Sequence, residues 1–119
     1  MGARIYNATG TNEFPVDEIV KVLTDFGLSN LIDRVEREYS NGKVTLLCFE
    51  KFYFRTSSSA ALTIMANEMK GSTEVEIISL AGGEGLLNIS WGANQDFAQK
   101  AINILKRHGF EIEEKYRKK

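Results

Sequence analysis

With one cysteine, one histidine, one proline and one tryptophan in 119 residues, the chain is short of the side chains on which several functional classes depend. A single cysteine makes no internal disulfide, so the fold does not require an oxidising compartment. Cys48 lies in an apolar stretch with no histidine or second cysteine nearby in sequence, which describes an inert thiol better than a nucleophile. One histidine and one cysteine far apart give no metal-ligand spacing, and no metal or other cofactor is expected. There is no GxSxG elbow. The glycine cluster Gly82-Gly83-Glu84-Gly85 fits neither phosphate-cradling pattern. Fifteen basic residues against sixteen acidic ones leave a formal charge of −1 with the signs interspersed, so no broad field draws in nucleic acid or an anionic membrane. No run approaches the roughly 18 apolar residues of a membrane span, and the first residues lack the apolar core of a signal peptide. The expectation is a cytoplasmic protein that binds neither nucleic acid nor membrane.

What the chain does have is a dense run of β-formers, KVTLLCFEKFYFR over Lys43–Arg55, behind Asn41-Gly42. This predicts a central antiparallel strand entered through a hairpin. A period of two places Val44, Leu46, Cys48, Glu50, Phe52 and Phe54 on one side, and Thr45, Leu47, Phe49, Lys51, Tyr53 and Arg55 on the other. Taking the first set as core leaves Glu50 anomalous, because a buried carboxylate costs several kcal/mol unless paired. Three outcomes are open: a β-bulge resets the register, Glu50 lies at the core margin, or it is buried beside a partner such as Arg34 or Arg37.

Around this strand, residues 3–9 read as a short strand anchored by Ile5. Pro15 then opens a helix whose Val16, Ile19, Val20, Leu23 and Phe26 form one apolar stripe. Asp17 and Glu18 suit its first turn, and Gly27 its end. Residues 29–40 are ambiguous. Ser29 would cap a second helix in one reading; in the preferred one the segment pairs as a strand through Asn41-Gly42, with Leu31, Asp33, Val35, Arg37 and Tyr39 sharing a face. Thr56 to Ser59 reads as a turn, residues 60–66 and 73–80 as two further strands, and 86–91 as a short extended piece that packs Trp91. Asn94–His108 reads as the last helix, ended by Gly109, with His108 in a structural place at its C-terminus. Phe110 and Ile112 add a few extended residues before a solvated tail from Glu113 to Lys119.

The order β-α-β-β-β-β-α predicts a single α+β domain over residues 1–119, a two-layer sandwich with an antiparallel sheet of about five strands and both helices on one face. The free face would show Leu47, Phe49 and Tyr53, with Met65 and Leu80. That is enough apolar surface to predict a homodimer through the sheet or a partner held in a cleft.

The tract Phe49-Glu50-Lys51-Phe52-Tyr53-Phe54-Arg55, with Gly82-Gly83-Glu84-Gly85-Leu86-Leu87 and Trp91-Gly92, resembles a family of small bacterial proteins known only as a domain of unknown function. The resemblance implies a compact bacterial α+β domain and carries no activity, cofactor or catalytic residue. The element order is also similar to helix-grip and TATA-binding-type folds, a likeness of topology that does not extend to function. Two functional classes compete. The first is a non-enzymatic ligand-binding or protein-interaction module using Leu47, Phe49, Tyr53, Met65 and Trp91. The alternative is an enzyme acting on a small molecule, with Glu50 as acid or base, Tyr53 as donor and Arg55 as anion anchor.

Overall fold

The structure, a computed structural model, describes residues 2–25, 28–53, 58–82 and 98–118. Among them are β1 (Gly2–Gly10), α1 (Val16–Thr24), β2 (Asn30–Tyr39), β3 (Gly42–Tyr53), β4 (Ser58–Met69) and β5 (Ser72–Gly82). A second helix, α2, is described over residues 98–107, followed by β6 (Glu111–Lys118). The strands form one sheet in the order β2-β3-β4-β5-β1-β6, with every neighbouring pair antiparallel. The fold is therefore α+β, with β2 and β6 as the edge strands among the described residues.

Two-residue turns set the registers. Tyr39 pairs with Gly42, so the β2–β3 turn is Ser40-Asn41, one residue earlier than the Asn41-Gly42 expected. Gly42 is instead the first paired residue of β3, and the reason is steric: a Cβ there would lie 2.5 Å from the backbone oxygen of Glu68 on β4. Met69 pairs with Ser72 across Lys70-Gly71, where Gly71 has φ +74°, the left-handed value that glycine supplies to hairpin turns. Gly42→Ala is expected to cost about 1–3 kcal/mol through displaced backbone. Gly71→Ala meets no neighbour and costs about 1–2 kcal/mol from conformation alone. Urea midpoints measure both.

The apolar stripe of α1 buries Ile19 and Leu23 completely. Burial of each from an exposed state is worth about 1.5–3 kcal/mol. The helix is shorter than its periodicity predicts. Pro15 stands at the N-cap rather than at the first helical position, and the chain leaves the helix at Asp25 in an extended conformation. Phe26 and Gly27 lie outside the described residues. Ser29 caps no second helix; its hydroxyl donates to the carbonyl of Leu23 at 2.5 Å and closes the end of α1. At the end of α2, Gly109 has φ +87°, Phe110 N–H donates to Leu105 O and Gly109 N–H to Lys106 O, each at 3.0 Å. This is a Schellman ending.

The sheet buries one face. Leu47, Ile64, Ile77 and Tyr6 form a row across β3, β4, β5 and β1, and Phe49 and Leu62 flank it. These side chains join Ile19 and Leu23 of α1 and Ala98, Ala101, Ile102 and Leu105 of α2 in one buried cluster. The core is thus on the Thr45-Leu47-Phe49 side of β3, opposite to the side chosen from the apolar count. The apolar count favours the other side, and the polar residues overrule it. Lys51 can lay its alkyl stem along the core margin and keep its ammonium wet, whereas the short carboxylate of Glu50 cannot. Glu50 is exposed.

Two further corrections follow from the pairing. The bulge sits on β2, where the register shifts between Leu31 and Asp33. It turns Leu31 towards the core, away from the face it was expected to share with Asp33, Val35 and Arg37. The expected solvated tail is β6, a sixth strand paired with β1. Its anchor is a half-buried ion pair: Arg4, 7% exposed, donates from Nε to Glu114 Oε2 at 2.6 Å and from Nη2 to Oε1 at 3.0 Å.

Candidate functional site

By the same alternation, the second face of the sheet carries Val35, Leu46 and Met65 in one cross-strand row. Cys48, Thr63, Ile78 and Ile5 form the next, and Glu50, Ala61, Leu80 and Ala3 a third. Phe52 is 49% exposed, Leu80 38% and Met65 37%. The centre of this face is apolar. Charged residues border the apolar patch within the sheet as well as at its edge: Glu76 on β5 stands directly opposite Met65 and is held by Lys115 of β6 at 2.9 Å, and Asp33 and Arg37 lie on the edge strand β2.

The structure separates the residues singled out by sequence. Leu47 and Phe49 are fully buried in the core and are unavailable to a partner, a consequence of the reversed face. Met65 is on the open face, as expected. Glu50 stands opposite Asn30 and Ala61, far along the strand from Arg34, which pairs with Leu47. Neither β2 arginine is therefore its partner. The Tyr53 side chain, Arg55 and Trp91, with the glycine cluster from Gly83, lie outside the described residues.

Several charged contacts join residues that the sequence reading did not pair with one another. On the core side, Arg34 contacts Glu36 Oε2 at 2.8 Å and Asp17 of α1 at 3.0 Å, while Lys43 holds Glu36 Oε1 at 2.9 Å. Lys43 and then Arg34 lower the Glu36 pKa; Glu36 and then Asp17 raise that of Arg34. Glu18 on α1 meets His108 at 2.7 Å and also Arg107, and these contacts, His108 first, hold its pKa below the ordinary carboxylate value. The i, i+2 spacing of Arg34 and Glu36 was the only sequence signal for any of this.

Carboxylates with lowered folded-state pKa contribute stability that is complete above their unfolded pKa, about 4.3 for glutamate, and lost as pH falls through the folded value. The urea midpoint is expected to fall between about pH 5 and pH 3, and Glu18→Gln with Glu36→Gln should flatten that fall. An unaltered pH profile in the double variant would contradict the assignment.

An open groove of about 540 Å³ runs past the turn ends between Glu13, Glu38, Tyr39, Lys43, Glu68 and Met69. Two of its polar groups are committed within the chain: Lys43 to Glu36 at 2.9 Å, and Glu68 Oε1 to the N–H of Phe14 at 2.8 Å. Among the described residues no three His, Cys, Asp or Glu side chains are placed to hold a metal ion, and no described helix is long and apolar enough to cross a membrane.

An α+β chain with an open antiparallel sheet, whose second face carries partly exposed apolar side chains among the described residues, is the class these features define. The chain belongs to the family described as a family of unknown function (DUF6054), which matches residues 7–109. No curated protein and no solved structure matches it.

Proposed function

We propose that the protein is a non-enzymatic assembly module: both helices cover one side of the sheet as a two-layer sandwich, and the opposite side docks against a second copy of the chain. The observation that carries the reading is the partial exposure of Met65, Leu80 and Phe52 on one contiguous sheet face. The layering is supported by the common cluster of helix and sheet side chains and by the contacts of Glu18 on α1 with Arg107 and His108 at the end of α2. Area favours a second copy as the occupant. Six strands about 4.8 Å apart, with some eight residues of each at about 3.3 Å, present roughly 600 Å² of flat face. Two such faces together bury about 1,200 Å² or more, within the range of stable, specific interfaces.

Leu46→Glu with Met65→Glu places two carboxylates at the centre of that face without touching the core. Sedimentation should show the particle mass fall to half that of the wild type at the same micromolar concentration, with circular dichroism unchanged. An unchanged mass would contradict the reading, as would a wild type that is already monomeric.

A further inference from the structure

The edge strand β2 has a charge pattern that is complementary to itself. Asp33-Arg34-Val35-Glu36-Arg37 alternates in sign about a central valine. All but the half-buried Val35 are exposed, and among the described residues no strand covers the outer edge of β2. We infer that two copies of the chain join through antiparallel pairing of their β2 edges, with a twofold axis at Val35, making one continuous twelve-stranded sheet.

The register follows from symmetry. A twofold axis perpendicular to the sheet keeps each side chain on its own face, and directly opposed residues share a face. Residue i must therefore oppose a residue an even number of positions away. Centred on Val35, Arg34 opposes Glu36 of the second copy, and Asp33 opposes Arg37. Both flanking positions then match opposite charges, and symmetry repeats each match. Moving the axis to Arg34 sets Asp33 against Val35. Moving it to Glu36 sets Arg37 against Val35, and moving it to Arg37 opposes Glu36 to Glu38. The Val35 register alone pairs opposite charges at both positions.

Charges on an edge strand ordinarily discourage pairing with other strands. Alternation about a centre does so for most partners and registers while admitting this one, so the same residues guard the edge and select its mate. Arg34 and Glu36 already bond within the chain. Asp33 and Arg37 take part in no described ion pair; Arg37 only donates to the carbonyl of Glu36 at 3.3 Å. They are the pair that the second copy would satisfy.

This interface is separate from the sheet-face contact proposed above. The perpendicular axis puts both open faces on the same side, so edge pairing doubles the apolar surface, and closure of both interfaces gives four copies.

The test uses the full chain carrying Leu46→Glu and Met65→Glu, in which only the edge contact remains. Sedimentation at high micromolar concentration should show a dimer. Adding Arg37→Asp sets Asp33 against an aspartate twice and should raise the dissociation constant at least tenfold. Adding Asp33→Arg as well restores opposite charges across the axis and should return the dissociation constant to within about threefold of the starting value, because the register is symmetric. A monomeric starting variant overturns the inference, as does an Arg37→Asp variant that associates normally or a double reversal that fails to restore pairing. If the starting variant keeps the wild-type mass, the sheet-face reading fails while the edge test still stands.

Discussion

Phe49→Ala is expected to lower stability by about 3–5 kcal/mol, the usual loss for an aromatic side chain removed from a packed core. Phe49 is fully buried and lies opposite Leu62, itself fully buried, on β4. Neighbours held in paired strands cannot collapse into the space left behind, so the cavity cost adds to the transfer cost. Leu80→Ala provides the contrast. Leu80 is 38% exposed on the opposite face, and its truncation in the dissociated chain should cost about 1 kcal/mol. Urea unfolding at low protein concentration measures both. If Leu80→Ala proves the costlier, the core is on the other face of the sheet.

Glu114→Ala is expected to cost about 3 kcal/mol, because it removes the two-point partner of a buried cation. The guanidinium of Arg4 also lies 5.3 Å from the centre of the Tyr6 ring. Its hydrogen bond to Glu114 raises the Arg4 pKa against the opposing effect of burial, so losing the partner leaves a charge that the site still has to hold. The same pair fixes β6 to β1, and hydrogen exchange in residues 111–118 should accelerate in the variant. Arg4→Met with Glu114→Leu should recover part of the loss, since it removes the buried charge that the single variant leaves without its partner. A Glu114→Ala variant within about 0.5 kcal/mol of wild type, the scatter of ordinary surface substitutions, would contradict a structural role for the pair.

These two residues also mark where the sequence was legible. The α1 stripe and the alternation in TEVEIISL each had one apolar set and one polar set, so period and facing could be read together. β3 had apolar residues on both sides and a charge on each. Its strand character was plain, yet its facing depended on whether Glu50 or Lys51 is easier to keep wet, which no hydrophobic count captures. β6 was hidden for a different reason: as an edge strand with Ile112 only half-buried, it carries the composition of a solvated tail, and its anchor Glu114 depends on Arg4 at the far end of the chain. The candidate site inherits the error in facing. Met65 and Leu80 were placed on the free face, but Leu47 and Phe49 were placed with them because the parity of β3 was reversed relative to β4 and β5. The β2 bulge at Ile32, which realigns Leu31 with the core, has no signal in NLIDRVEREY beyond one extra residue in the alternation.

The most direct test of the account is the labelling rate of Cys48 by a thiol reagent as protein concentration is raised. Cys48 lies on the open face between Leu46 and Glu50, one residue from the fully buried Phe49. The account predicts rapid labelling of dilute protein, progressive protection as copies associate, and no such protection when Leu46→Glu and Met65→Glu are present. A slow rate that is independent of concentration and rises only with denaturant would place Cys48 in the core and contradict both the facing of the sheet and the interface built on it.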